Sequence, residues 1–265
     1  MRILWNFIIE KETSIPIDHQ EHLQHLVHEI AGNVLRYGTN TQSSAPNFHF
    51  GNLRSQSRVI ENGTIRFAPG RVEWQFATPS APILNEIQRY TEKINRVKIC
   101  DGTFHISSVK PIEPPDLSSG RMECTCLTPF VTAAIEQPTP GIVRYLRPLH
   151  HISEIESVLL NELLVAHNSA YGLPAHASQF RLEFNQNYLR RDHRGGTRKV
   201  RFRGEDIIGS YAPFIMYADR ELLRTAWECG LGQRRTDGFG MVTMRPTYNI
   251  EFRHSAQLKD CVCRE

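Results

Sequence analysis

The chain has 265 residues, of which 40% are hydrophobic, and it carries a formal net charge of +3 with a pI near 8.6. This length is enough for one large domain or two small ones with sizeable cores. No apolar run approaches the length of a bilayer span, and the apolar residues 1–10 lack the small-residue cleavage site of a secretory leader, so we expect a cytoplasmic protein.

The first half alternates strand-like and helix-like segments. Residues 2–10 are rich in β-favouring side chains and predict a first strand. A helix follows, with Asp18 as its cap and Glu21 as the capping-box partner. The remaining predictions are strands at 48–53, 64–67 and 71–76, the last two meeting at a turn of Pro69 and Gly70, then a helix at 82–94 and strands at 96–99 and 103–109. This order, β-α-β-β-α-β, is the ferredoxin-like arrangement.

Four histidines recur every third residue around the start of the first helix, namely His19, His22, His25 and His28. At about 100° per residue they fan around the helix, so the spacing does not predict a metal site. The default interpretation of each is a solvated surface histidine. His28 lies on a flank of the apolar face, where a side chain can face a cleft, and it is the candidate for a functional role.

The proline-rich residues 110–120 predict a domain boundary, with domains at 1–118 and 119–265. The second half repeats the order of the first, with predicted strands at 122–127, 179–184, 199–203, 207–217 and 241–244 and helices at 152–166 and 219–229. We therefore predict an α+β protein made of two tandem ferredoxin-like domains.

Six cysteines include two C-x-C pairs, Cys124 with Cys126 and Cys261 with Cys263. Structural zinc sites favour wider C-x(2–4)-C spacing. Reduced thiols are the preferred interpretation, and we predict no metal and no cofactor.

Residues 188–203 form a basic segment that contains one acid and two adjacent glycines, Gly195 and Gly196, which predict the turn of a hairpin. Its cations are Arg190, Arg191, Arg194, Arg198, Lys199, Arg201 and Arg203. Alternate strand residues share one face and can track a phosphate backbone, whereas the structural alternative is a solvated edge strand whose charges prevent aggregation. The charge density favours a polyanion, and RNA suits a sheet-and-loop surface better than B-DNA.

Residues 229–242 hold a glycine-rich stretch with two arginines, made of Gly230, Gly232, Arg234, Arg235, Gly238 and Gly240. Glycines let backbone N–H groups approach a ligand, and arginines beside them complete an anion cradle. The spacing matches neither common nucleotide-binding motif, and the structural alternative is a tight turn between a helix and a strand. Beside the basic segment, the stretch is interpreted as a cradle for an RNA backbone.

Residues 230–242 resemble the C-terminal glycine-rich loop of the Cas6 family of CRISPR RNA-processing endoribonucleases, within the wider RAMP group. Residues 15–28, a proline followed by a helix, resemble the family's first strand-to-helix entry, and residues 48–53 resemble a strand motif after its active-site loop. The resemblance implies tandem ferredoxin-like domains and metal-independent cleavage of CRISPR repeat RNA. The products would be a 2′,3′-cyclic phosphate and a 5′-hydroxyl.

The resemblance also implies an active site at the first helix and the loop after it. Many members carry a histidine in that loop, whereas here no histidine occurs between His28 and His49. His28 falls where some members have an active-site tyrosine. His28 is therefore the first candidate for general base or acid, with Tyr37 or Arg36 assisting and His49 in reserve.

Three function classes stay open at this point. The first is an endoribonuclease that matures CRISPR RNA, and the second is a non-catalytic or slow CRISPR RNA-binding subunit, associated with other Cas proteins of an effector complex. The third, a phosphate-metabolite enzyme on a ferredoxin-like fold, fits the glycine-rich stretch but not the basic segment.

Overall fold

The first half of the chain is a five-stranded sheet with two helices packed on one face. The computed structural model describes residues 1–37, 47–135 and 143–244. In chain order the elements of this half are β1 (Arg2–Ile9), β2 (Thr13–Pro16), α1 (Gln20–Tyr37), β3 (His49–Phe50), β4 (Arg58–Glu61), β5 (Thr64–Phe67), β6 (Gly70–Ala77), α2 (Ala81–Lys93), β7 (Arg96–Ile99) and β8 (Gly102–Ile112).

Strand β1 lies at the centre of this sheet, antiparallel to both β6 and β8. The order of the strands is β3-β6-β1-β8-β7, so that without the edge strand β7 it is second, third, first and fourth. That order is ferredoxin-like. The alternation of β1 sends Trp5 and Phe7 towards the helices, where both are fully buried, and leaves Leu4, Asn6 and Ile8 on the opposite face.

The predicted pairing of residues 64–67 with 71–76 is wrong. Strand β5 pairs with β2 and β4 in a separate three-stranded sheet, whereas β6 pairs with β1 and β3. Ile65 of β5 faces Ile15 of β2, and both side chains are buried. The burial of this isoleucine pair stabilises the pairing that the local turn signal did not predict.

The second half contains a four-stranded sheet with the order β12-β15-β9-β16, again second, third, first and fourth. This confirms the predicted repetition of the ferredoxin-like order. The elements of this half are β9 (Arg121–Cys126), β10 (Ala133–Ile135), β11 (Val143–Tyr145), α3 (Ile152–Tyr171), β12 (Phe180–Phe184), α4 (Gln186–Arg191), β13 (Thr197–Phe202), β14 (Glu205–Ser210), β15 (Phe214–Ala218), α5 (Arg220–Cys229), a 3₁₀ turn (Arg235–Asp237) and β16 (Val242–Met244).

The predicted hairpin turn at Gly195 and Gly196 is also wrong. Residues 186–191 form α4, which Asn185 caps by accepting a hydrogen bond from the Tyr188 amide at 2.9 Å. The basic hairpin is β13–β14, and its turn is formed by Arg203 and Gly204, both with positive φ.

Helix α1 begins at Gln20, two residues after the predicted cap Asp18. His19 is fully buried before the helix, contrary to the expected surface position. Its Nε2 accepts a hydrogen bond from the Leu53 amide at 3.2 Å, and its Nδ1 lies 3.0 Å from the Ile17 carbonyl oxygen. Burial lowers the pKa of His19 to about 4, so the ring is neutral near pH 7.

The buried Arg2 joins the two halves. It donates from Nη1 to the Val242 carbonyl at 2.7 Å and from Nη2 to the Trp227 carbonyl at 2.8 Å, and its guanidinium stands 3.5 Å from the centre of the Trp227 ring. Burial lowers the pKa of Arg2 to about 9. Leu117 packs in the core of the second half, and the boundary between residues 118 and 119 stays a prediction.

Within the described residues, no helix is long and apolar enough to cross a bilayer, and no three metal-binding side chains cluster together. Cys100, Cys124, Cys126 and Cys229 are free thiols, whereas Cys261 and Cys263 lie outside the described residues.

Candidate functional site

The glycine-rich loop, residues 230–240, is packed at the junction of the two halves. Gly232 and Gly240 have φ values of 73° and 79°. A Cβ atom at Gly232 would collide with the Val131 carbonyl oxygen, and one at Gly240 would collide with the Leu231 carbonyl oxygen. These glycines are therefore required for close packing of the loop.

Amide groups of the loop point into the protein. The Leu231 amide donates to the Gly240 carbonyl at 2.9 Å, the Gln233 amide to Val131 at 2.9 Å and the Gly240 amide to Pro129 at 2.8 Å. These three N–H groups cannot also bind a phosphate. The predicted anion cradle therefore does not include the amides of Leu231, Gln233 and Gly240, because the glycines let these amides bond to carbonyl groups of the protein.

Helix α1 is fastened to the glycine-rich loop by two glutamines. Gln20 donates from Nε2 to the Gly238 carbonyl at 3.0 Å. Gln24 donates to the Thr236 carbonyl at 3.0 Å and to Asp237 Oδ1 at 2.8 Å. Both glutamines are buried, so these bonds fix one side of α1 against the loop.

His28 lies one helical turn beyond Gln24, on the same side of α1. Its side chain is exposed, and its ring meets Phe48 edge-on with 6.3 Å between the ring centres. Arg36 and Tyr37 are in the last turn of α1, but their side chains and residues 38–46 lie outside the described part of the structure. The structure thus places His28 on the α1 side that contacts the glycine-rich loop.

His49 occupies a different environment. It is fully buried beneath the glycine-rich loop, with Nδ1 2.7 Å from the position of a Cβ atom at Gly230. Burial, reinforced by the charges of Arg2 and Arg235, lowers the pKa of His49 well below its ordinary value. This position corrects its assignment as a reserve catalytic group, because a buried neutral ring cannot contact an RNA phosphate in this arrangement.

The loop arginines contact protein groups. Arg234 Nε is 2.8 Å from Asp237 Oδ2, and Arg234 Nη1 is 3.0 Å from Glu205 Oε2. Arg235 donates to the Glu162 carbonyl at 3.2 Å. Both side chains therefore hold the glycine-rich loop to other parts of the second half, and their predicted contact with RNA would require an exchange of partners.

The cations of the β13–β14 hairpin are also paired. Lys199 Nζ and Arg201 Nη1 lie 3.1 and 3.0 Å from the carboxylate of Asp206. Arg203 Nη2 donates to Gln24 Oε1 at 2.7 Å, which connects the hairpin to α1. The hairpin therefore stabilises the contact between the two halves through Arg203. The acid that pairs with Lys199 and Arg201, Asp206, lies outside the basic segment.

The other cations of the basic segment lie elsewhere. Arg190 and Arg191 end α4, Arg194 is in the turn that follows, and all three are exposed. Arg198 Nη1 is 2.9 Å from Asp192 Oδ2, and its guanidinium stands 5.4 Å from the Tyr211 ring centre. The predicted basic surface is therefore two regions in the structure, one at the end of α4 and the turn after it, and one on the β13–β14 hairpin.

A cleft of about 520 Å³, the arginine cleft, lies on the face of the first sheet opposite its helices. Its lining includes Asn52, Arg54, Arg58, Arg71, Glu73, Gln75 and Leu127, and Arg71 Nη2 lies 3.1 Å from Glu73 Oε1. Sequence reasoning missed this cleft. The signal was the polar segment Arg54-Ser-Gln-Ser-Arg58, but only the fold brings the second half, through Leu127, to its edge.

The arginine cleft has an excess of positive charge, because three arginines and one glutamate line it and, of these three, only Arg71 pairs with that glutamate. Burial, with the nearby charge of Arg54, lowers the pKa of Arg58. Burial raises the pKa of the Tyr211 hydroxyl, while the charges of Arg54 and Arg198 act in the opposite direction, so these groups lie within electrostatic reach of one another. Cations beside an aromatic ring suit a single-stranded nucleic acid, because a phosphate relieves the repulsion and a base can stack.

Residues 112–244 match the family model for the C-terminal part of the CRISPR-associated protein Cas6. Solved structures share the fold. The product of a Cas6-related gene from Pyrococcus furiosus is 20% identical, with a TM-score of 0.76 over 94% of this chain and 99% of that one.

A RAMP protein that binds different RNA substrates is 18% identical, with a TM-score of 0.76 over 93% of this chain and 100% of that one. A Cas6 protein in a product complex is 14% identical, with a TM-score of 0.55 over 91% of this chain and 98% of that one. A comparison with curated proteins gives no match. The likenesses confirm the tandem ferredoxin-like fold, and the family model covers half of the sequence: the chain belongs to the Cas6 family.

Proposed function

We propose that this protein is an endoribonuclease that cleaves CRISPR repeat RNA to give mature CRISPR RNA in the cytoplasm. The observation that carries this proposal is the position of His28, exposed on the side of α1 that Gln20 and Gln24 fasten to the glycine-rich loop. Membership of the Cas6 family supports the choice of substrate. We assign the chemistry to residues 1–118 and much of the RNA binding to residues 119–265.

The proposed reaction needs only proton transfers and charge stabilisation. The 2′-hydroxyl loses its proton to a base and attacks the adjacent phosphorus, the bond from phosphorus to the 5′-oxygen breaks, and the leaving oxygen takes a proton from an acid. The products are a 2′,3′-cyclic phosphate and a 5′-hydroxyl, without a metal ion. His28 acts as the base or the acid, and Tyr37 or Arg36 assists.

An unpaired stretch of the RNA binds in the arginine cleft. Arg54 and Arg58 are close enough for their charges to repel and no acid partners either side chain among the described residues, so a phosphate between them would be favoured. Tyr211 and Arg198 supply an aromatic ring and a further cation from the second half. The RNA would thus contact both ferredoxin-like domains.

The test is cleavage of repeat RNA in the presence of EDTA, with analysis of the product ends. We expect the wild-type protein to cut once within the repeat and leave a cyclic phosphate. His28→Ala should lower the single-turnover rate by about 100-fold or more, with RNA affinity kept. His22→Ala is the matched control, because His22 is exposed on the same helix but points about 120° around the helix axis from His28.

Unchanged cleavage by His28→Ala would move the chemistry to Tyr37 or Arg36. Cleavage that stops in EDTA would contradict the metal-independent reaction.

One observation favours a second function, a CRISPR RNA-binding subunit that cleaves slowly or not at all. The next histidine after His28 in the sequence is His49, and that side chain is buried. Such a subunit would hold its RNA within an effector complex of other Cas proteins. Tight binding of repeat RNA that stays intact would select this function.

A further inference from the structure

A second basic surface lies away from the arginine cleft, on two neighbouring turns. One turn precedes α3 and the other joins α4 to β13. We call this surface the arginine–histidine patch, and it consists of Arg147, His150, His151, Arg190, Arg191, His193 and Arg194.

The two turns of the patch are held together. Leu149 packs beside Gly195, with the Leu149 Cδ2 atom 3.8 Å from the position of a Cβ atom there. Asp192 fixes the second turn, because its carboxylate accepts from the Gly196 amide at 2.9 Å and its carbonyl accepts from the Gly195 amide at 2.7 Å. The patch is therefore one preformed surface.

The arginines of the patch differ from those of the junction in their partners. Among the described residues, no carboxylate lies within ion-pair distance of Arg147, Arg190, Arg191 or Arg194. The acids nearby are engaged, since Asp192 pairs with Arg198 and Glu154 pairs with Arg144. Four guanidinium groups thus have no counter-charge within the part of the chain that the structure describes, which favours an anionic ligand.

We propose that the arginine–histidine patch binds backbone phosphates of the RNA strand beyond the arginine cleft. The inference rests on the proposed RNA-binding function. It is supported by continuity, because Tyr188 on α4 accepts from Arg198 Nη2 at 3.1 Å and Arg198 lies over Tyr211, which is within electrostatic reach of Arg54 in the cleft. Arg191 follows Tyr188 by three residues, on the same side of α4. A strand that leaves the cleft past Tyr188 would meet the patch.

The experiment compares two double variants that remove the same charge. Arg190→Ala with Arg191→Ala removes two unpaired cations of the patch, whereas Lys199→Ala with Arg201→Ala removes two cations that share Asp206. The affinity for repeat RNA extended by flanking nucleotides is measured from about 50 to 200 mM salt. Each phosphate contact to a single strand adds about 0.7 to the salt slope, so the patch variant should lose about 1.4 and the hairpin variant much less.

If the salt slope falls by about 1.4, the loss of RNA affinity between about 50 and 200 mM salt becomes about sevenfold smaller than in the wild-type protein. Equal slopes in the two double variants would overturn the proposal. Arg147→Ala, on the other turn, should lower the slope by about 0.7 independently, and an unchanged slope there would also count against it. If the wild-type protein does not bind the RNA at all, the proposed RNA-binding function is wrong, and this result differs from equal slopes, which contradict only the role of the patch.

Discussion

The junction at the glycine-rich loop and the arginine cleft are both rich in arginine, but the partners of these arginines differ. At the junction, Arg203 of the second half contacts Gln24 of the first half, while Arg234 holds the glycine-rich loop through Asp237 and Glu205. In the cleft, Arg54 and Arg58 have no acid partner among the described residues. The same side chain therefore stabilises the contact between two domains in one place and remains available to an anion in the other.

The first prediction breaks the junction. Gly240→Ala should lower the free energy of unfolding by about 3 kcal/mol or more, because the added Cβ collides with the Leu231 carbonyl. Chemical denaturation measures the change. Gly63→Ala is the matched control, since Gly63 has a φ of 73° but nothing within 4 Å of the new Cβ, and it should cost only about 1 kcal/mol. Equal costs would show that backbone conformation alone requires the glycines.

The second prediction concerns pH, through the His19 ring that connects the start of α1 to Leu53 beside the cleft. Its pKa is about 4 in the folded protein and 6.5 ordinarily, so the unfolded chain binds the proton more strongly. Stability should be full above pH 6.5 and decline as the pH falls towards 4, by about 3 kcal/mol over this difference of 2.5 units. His49, whose pKa is also lowered, contributes in the same direction.

Thermal unfolding between pH 7 and 4 measures this decline. The His19→Gln variant should show a flatter profile. A wild-type stability that stays constant over this range would contradict the neutral buried state of both rings.

The third prediction separates chemistry from binding at the junction. Gln24→Ala removes the hydrogen bonds of this side chain to the Thr236 carbonyl, Asp237 and Arg203 and should cost about 2 kcal/mol of stability. The rate of single-turnover cleavage should fall more than the affinity for RNA, because α1 carries His28. Gln24→Glu should keep an acceptor for Arg203 but lose both donated bonds, to the Thr236 carbonyl and to Asp237, and it places a second carboxylate beside Asp237.

Gln88→Ala, on the exposed face of α2, is the control for that experiment and should change neither quantity. A proportional loss of rate and affinity in Gln24→Ala would mean that the glutamine serves only the fold.

The fourth prediction concerns the cleft and has the smallest effect on the fold. Arg54→Ala with Arg58→Ala should weaken the binding of repeat RNA and lower its salt slope by about 1.4, with little change in unfolding temperature. Arg66→Ala with Arg89→Ala removes the same charge from exposed ion pairs and serves as the control. A similar loss of RNA affinity in both double variants would mean that the cleft arginines act only through the overall charge of the protein.

The sequence predicted the order of strands and helices well, because alternation in β1 and the apolar face of α1 are local signals. It failed where pairing is decided at a distance. The Ile15–Ile65 contact, for example, removes β5 from the hairpin that Pro69 and Gly70 suggested. The glycines were recognised as special, but the closest contact of Gly232, the Val131 carbonyl, comes from about 100 residues away in the sequence.

The candidate site was predictable only where local signals such as helix register define it. The register of α1 predicts that His28 shares a side with Gln24. Some partners of the basic residues were not predictable, because they meet only after folding: Glu205 pairs with Arg234 across 29 residues of sequence, and Gln24 bonds Arg203 across 179. Residue type alone therefore cannot distinguish an arginine that braces the junction from one that binds a ligand.

The guanidinium of Arg2 also constrains the order of events during folding. Its two acceptors, the carbonyls of Trp227 and Val242, follow it by 225 and 240 residues. During synthesis the first sheet therefore emerges with this cation and the neighbouring His49 uncovered, until most of the remaining chain has left the ribosome. Contacts of such long sequence separation form late and slowly. We therefore expect the Arg2 guanidinium to stay hydrated until the second half supplies the Trp227 and Val242 carbonyls that replace its water.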